Sequence, residues 1–444
     1  MDVLPCGHVA VAGTSRMCRH LLGSEGEEHV RLLTGRGLEF DVCCAACDRA
    51  ALDGRPPELL VACEGCVARC TSEDWELLAW RGEPGILARP EPFDTTVAEV
   101  PLPVPTADLV PLTAGSRPLW LLLAEDGRIG RFDADSGEWD LLARATVPDE
   151  PGHQPWAGHR MRQRLHAGPL GDFAAVVNDY GQHGQVVDLR TGSVTLTLHG
   201  GSYHPETVPF SLAFARHQGR TVVIHRTDWN RLDASDAASG ELLTRREPTS
   251  YRHGEPRPAH YLDYFHGALR LSPGGRWIAD DGWVWHPVGM PTVWDAQSWL
   301  NGNVWESEDG PSQHLLCQRG YYWDTPMCWT GENLLAVSGI GSDDEAMLQG
   351  VRIFDVSTGA EAAAFAGPAG ALFAAEDRLY SAAPDGLEVW DPRAGERTGT
   401  VPGFVPTSYH PGADELAGIS GGVLRRWAIP RTPLGAGSTA KHYQ

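Results

Sequence analysis

The stretch FDVSTGAEAAAFAGPAGALFAAEDRLYSAAPDGLEVWDPRAGE (354–396) decides the fold. It opens and closes on one phrase: an apolar residue or Ser, Asp, two variable residues, and usually a small residue followed by Gly. Earlier copies read FDADSGE (132–138), VDLRTGS (187–193), SDAASGE (235–241) and WDAQSWL (294–300), and a degenerate one, RRWAI, ends at Ile429. The phrase has a mechanical meaning. Strand-forming residues run into Asp, whose carboxylate can accept from backbone N–H groups two or three residues on. Gly then supplies the positive φ of a tight hairpin turn. Neighbouring copies stand 36 residues (354 to 390) to 60 residues (294 to 354) apart, a period typical of radial β arrays.

Each repeat divides into three strands before the Asp-Gly turn and one after it. The second strands read LWLLLAED, FAAVVNDY, TVVIHRTD, RWIADDGWVW, LLAVSGI, RLYSAAPD and ELAGIS. Seven copies of that order predict four-stranded blades around an axis. The chain resembles a WD-repeat or quinoprotein-type β-propeller over about 330 residues. Trp294-Asp295 and Trp390-Asp391 match the family's signature dipeptide, with Phe132, Val187 and Phe354 replacing Trp elsewhere. The resemblance implies a mainly β fold, a seven-bladed propeller over 97–430. Its ring would close by pairing VAEVPLPV (97–104) with VLRRWAI, removing an exposed edge. A Pro-rich linker over 91–110 merges into that ring-closing strand, and 431–444 reads as a flexible tail.

Composition bounds the function. The net charge of −22 is spread along the chain without a basic face, which argues against nucleic acid and against anionic membranes. Arg almost wholly replaces Lys amid abundant Ala, Gly and Pro, the mark of a GC-rich bacterial genome. No apolar run reaches the ~20 residues of a membrane span, and a cytoplasmic monomer is expected.

Residues 1–90 hold eight of the ten cysteines, which in a reducing compartment reads as metal binding. Cys44-x2-Cys47 and Cys63-x2-Cys66 have the spacing of a zinc ribbon, two knuckles completing one tetrahedron around Zn²⁺. Upstream, Cys6, His8, Cys18 and His20 offer donors for a second ion. Cys43 and Cys70 leave the register open, and so does a cross-braced scheme in which alternate pairs share a metal. A small α+β module is expected, with helices after Ser24-x-x-Glu27 and after Thr71-x-x-Asp74. Structural zinc would supply the folding free energy that so small a core lacks.

Long insertions at 144–166, 199–209, 247–266, 300–320 and 341–350 fall between a blade's last strand and the next blade's first, or between second and third strands. Both loop types emerge at one end of an antiparallel blade, so they decorate one rim. Trp156, Arg160, Tyr251, His253, Tyr261, Tyr264, Trp305, Tyr321 and Tyr322 are the candidate contacts there to a protein or peptide partner, since aromatic and Arg enrichment marks interaction hot spots. Trp277, Trp283, Trp285 and Trp294 are assigned to packing between blades, and Cys317 and Cys328 to the core. No nucleophile elbow, P-loop or dinucleotide turn is present. The chain therefore reads as a non-catalytic interaction scaffold. The alternative is a propeller hydrolase or lyase with a His/acid site at the channel mouth.

Overall fold

The computed structural model describes residues 3–8, 14–23, 29–33, 40–52, 55, 57–63, 65–67 and 85–86, then 94–430 except 115–116, 151–158, 248–250, 252–253, 255 and 341–346. Across 98–428 the chain is mainly β, and its described residues form seven successive sheets. We number them I (106–144), II (162–199), III (212–236), IV (265–320), V (327–366), VI (371–402) and VII (408–428).

The repeated phrase does what its chemistry predicts. Asp133, Asp188, Asp236 and Asp391 each accept from the backbone N–H groups two and three residues on, at 2.8 to 3.3 Å. Gly137, Gly192, Gly240 and Gly395 close these four turns at φ of 65 to 77°, and Gly359, at 73°, closes the one at Asp355, which accepts from Ser357 N–H. WDAQSWL is the exception. Trp299 stands where Gly would, and the chain cannot turn back. Asp295 instead caps the helix Ala296–Asn301, accepting from the Gln297 and Ser298 N–H groups at 2.8 and 2.9 Å. Sheet IV has six strands, four of them only two to four residues long, while sheet III keeps three among the described residues.

Strand alternation sorts the core between neighbours. Leu121 and Leu123 of sheet I pack with Val176 and Val187 of sheet II, whereas Val177 and Val186 turn to Leu212 and Val223 of sheet III. Ile224 meets Trp294 of sheet IV, and Val293 meets Leu335 and Val337 of sheet V. Ala336 lies against Trp390 of sheet VI, and Tyr380 against Trp427 of sheet VII. Leu424 of sheet VII then returns to Trp120 and Leu122 of sheet I. Each sheet is thus buried on both faces, and last meets first, as a β-propeller requires.

Ala98–Pro101 pairs antiparallel with Val423–Arg426, completing sheet VII from the opposite end of the chain. That is the ring-closing pairing the sequence suggested. The linker expected to reach residue 110 stops sooner, because Thr106–Leu112 is already the first strand of sheet I.

The N-terminal module is a four-stranded sheet of His29–Leu33, Phe40–Cys44, Thr14–Cys18 and Leu59–Cys63, in that spatial order. The helix expected after Ser24 is instead the strand His29–Leu33, held by a hairpin register to Phe40–Cys44. A tertiary ladder has overridden the local capping signal. The helix Ala45–Leu52, unforeseen, follows Cys44 directly. The helix expected after Thr71 lies outside the described residues.

Candidate metal centres and the loop face

Strand direction settles which ligands meet. Thr14–Cys18 runs parallel to Phe40–Cys44, so Cys18 and Cys44 finish at one end of the sheet. It runs antiparallel to Leu59–Cys63 with Thr14 opposite Cys63, so Cys63 lies at the other end. About four residues at ~3.3 Å each separate those ends. The four-cysteine ribbon of Cys44, Cys47, Cys63 and Cys66 is therefore not formed, and neither is a cross-brace. The sites are nested: Cys18, His20, Cys44 and Cys47 form one group, and Cys6, His8, Cys63 and Cys66 the other.

The two groups share one plan. Each joins a Cys-x-His pair to a Cys-x2-Cys pair, and in each the backbone N–H of the first knuckle cysteine aims at the first sulfur of the other pair. Cys44 N–H meets Cys18 Sγ at 3.3 Å, and Cys63 N–H meets Cys6 Sγ at 3.5 Å. Nδ1 of His20 lies 3.2 Å from Cys47 Sγ, and Nδ1 of His8 lies 3.3 Å from Cys66 Sγ. Within each group every donor atom is within 4.8 Å of the others. Arms of about 2.3 Å in a tetrahedron put its corners about 3.8 Å apart, so the donor sets fit one ion each. No disulfide joins the described cysteines.

Their electrostatics point the same way. Burial and the neighbouring Cys44 push the Cys47 thiol up to about 12. Hydrogen bonding to Cys6, then to Cys66, together with burial, holds Cys63 well above the ordinary thiol range, while hydrogen bonds from Cys63 and Cys66 pull Cys6 below it against the opposing effect of burial. Crowded sulfurs of this kind cannot all be thiolates unless a cation sits among them. Three sulfurs and one imidazole per group fill four positions and leave none open to substrate. Cys43, buried one residue before Cys44, faces the other side of the strand and joins the module's core. Cys70 lies outside the described residues.

At the other functional candidate, the loop face, the residues divide. Tyr321 is 63 % exposed, Arg160 is exposed, and Tyr322 is half-buried. Tyr251 and Tyr261 meet edge to face at 5.0 Å, with the Arg257 guanidinium 5.1 Å over the Tyr261 ring. Trp305 is stacked on His260 at 4.4 Å and lies under the Arg246 guanidinium. Tyr264 must be reassigned: it is buried, and its hydroxyl accepts from Gly282 N–H and donates to Met290 O. Trp156 and His253 lie outside the described residues.

The sequence reading missed Tyr203 and misplaced Trp285. They are 45 % and 43 % exposed, whereas Trp277, Trp283 and Trp294 are buried as expected. Tyr203 stacks over Phe265 at 5.8 Å, Phe265 on Trp283 at 4.5 Å, and Trp283 on Trp323 at 4.7 Å. Trp285 stands edge-on to Tyr203, Phe265 and Trp283. The loops also reach across the ring: the Tyr180 hydroxyl donates to Asp324, and Trp323 Nε1 donates to Thr207 O at 2.9 Å. Beneath them lie buried polar pairs. Asp280 holds His266 Nδ1 at 2.6 Å, with both side chains at most 1 % exposed. Arg319 pairs with Asp281 in equal burial.

No protein-family model matches the chain, and no curated protein sequence does. Among solved structures it is similar to a chain in "Crystal Structure of Mitotic Checkpoint Complex", at 13 % identity and a TM-score of 0.46, covering 77 % of this chain and 98 % of that one. Among the described residues no helix is long and apolar enough to cross a membrane.

Proposed function

We propose that the protein is a non-catalytic interaction scaffold: a seven-bladed propeller whose loop face grips a protein or peptide partner, carrying an N-terminal module stapled by two structural Zn²⁺ ions. Zinc suits the donors, since three thiolates with one imidazole are soft ligands in a closed four-coordinate set. The ions' contribution is folding free energy, and the residues that hold them are Cys6, His8, Cys63 and Cys66 in one site, and Cys18, His20, Cys44 and Cys47 in the other.

The observation that carries the binding reading is the exposed pair Tyr203 and Trp285, packed against the buried rings of Phe265 and Trp283. Rigid aromatic side chains already fixed by packing lose little entropy on contact, and such rings dominate interface energetics. The hydrolase or lyase alternative draws no support from His266 and Asp280, which are sealed from solvent. A double substitution, Tyr203→Ala with Trp285→Ala, tests the reading. Affinity capture of a partner should fall about 30-fold or more, as loss of a hot spot worth about 2 kcal/mol implies, while the ring's thermal unfolding moves little. Undiminished capture by the double variant would remove the loop face from the account.

A further inference from the structure

The two metal groups match in donors and differ in what stands behind them. His20 is exposed. His8 is not: its side chain is 4 % exposed, and its far nitrogen, Nε2, lies 2.8 Å from Oε1 of Glu396. Glu396 belongs to sheet VI, 388 residues along the chain. With Nδ1 turned to the sulfurs of the site, Nε2 carries the proton and donates it to the carboxylate. That is the arrangement by which an outer carboxylate fixes a ligating imidazole's tautomer and ring orientation and raises its basicity.

Glu396 is the last residue of the repeated phrase in WDPRAGE. The same position is Glu138 in sheet I and Glu241 just after sheet III, and both are exposed. On sheet VI alone of these three the glutamate is turned to the module and largely buried, its side chain 15 % exposed. A second contact falls at the same place. Gly85–Ile86, from the end of the N-terminal module, pairs in parallel with Glu396 and Arg397, extending the outer edge of sheet VI. Backbone and side chain thus fasten the module to one residue pair of the ring.

We propose that Glu396 is the positioning residue of the Cys6/His8/Cys63/Cys66 site, so that metal loading there and seating of the module on sheet VI are one coupled equilibrium. This rests on the structural-zinc reading above. Coupling of this kind is reciprocal: whatever factor docking adds to metal affinity, metal adds to docking. The Cys18/His20/Cys44/Cys47 site has no share in it. The module is therefore a fixed part of the ring when the ion at Cys6/His8/Cys63/Cys66 is bound, and loses its anchorage on sheet VI when that ion is withdrawn.

The test is a competition titration of the full-length, zinc-loaded chain with a chromophoric chelator. The unaltered protein should release two ions. Glu396→Ala should weaken one of them about 10- to 100-fold and leave the other unchanged. Glu396→Gln, which keeps an acceptor oxygen without the charge, should fall between. Glu138→Ala, at the exposed equivalent position, should move neither ion. Two unshifted ions in Glu396→Ala, or an equal shift of both, would overturn the coupling while leaving structural zinc intact. A zinc-free wild-type chain would instead overturn the zinc reading and this inference with it. Thermal unfolding of the ring in each variant, unchanged, confirms that the shift is not a fold defect.

Discussion

The module and the ring solve the same problem, a stable interior, by opposite means. Among the described residues, six of the eleven buried in the module's core are cysteines: Cys18, Cys43, Cys44, Cys47, Cys63 and Cys66. The other five are Met17, Leu21, Val42, Ala62 and Val67, with Leu4, Leu22 and Leu59 partly buried against them. Its interior and its metal sites are nearly the same atoms. In the ring, by contrast, clusters of Leu, Val, Ile and Trp recur between every pair of neighbouring sheets. Burying such surface is worth roughly 25 cal/mol per Å², and each sheet gains it on both faces. One region stands by coordination, the other by burial.

The comparison breaks most directly under chelation. Structural zinc supplies on the order of 10–16 kcal/mol of apparent binding free energy in small domains, more than any core of this size provides. Stripping metal should abolish amide-exchange protection throughout the module's strands, while the ring's strands stay protected. A module that keeps its protection without metal would show that burial suffices there too. A smaller effect sharpens the other half. Arg319→Ala leaves Asp281 buried without its cation, and breaking such a pair costs about 3–5 kcal/mol. Urea unfolding should report that loss in the ring, with zinc content unchanged; a variant as stable as the parent would mean Asp281 is not charged in the fold.

The sequence revealed what local chemistry decides. Asp133 and Gly137, or Asp391 and Gly395, make their turn with residues at most four apart, so the phrase alone foretold hairpins and their repetition. The partnership of Ala98–Pro101 with sheet VII was legible because a closed array leaves one strand unpaired at each end. Ligand pairing was not legible. It turns on whether Phe40–Cys44 and Leu59–Cys63 run with or against Thr14–Cys18, and spacing carries no information about strand direction. His29–Leu33 was misread for a related reason, since its fate as strand or helix depends on a hairpin partner. Tyr264 and Trp285 exchanged roles because aromatic content marks a loop as important without saying which ring faces out. The bond from His8 to Glu396 joins two ordinary residues from distant parts of the chain, and no motif announces it.

The nested arrangement of the two Cys₃His sites is the claim on which the module's architecture depends. Native mass spectrometry of two double variants measures it by counting zinc ions per chain. Cys6→Ser with Cys63→Ser removes ligands from one group only and should retain one ion, whereas Cys44→Ser with Cys63→Ser damages both groups and should retain none. One ion kept by the second variant and none by the first would restore the four-cysteine ribbon and contradict the account.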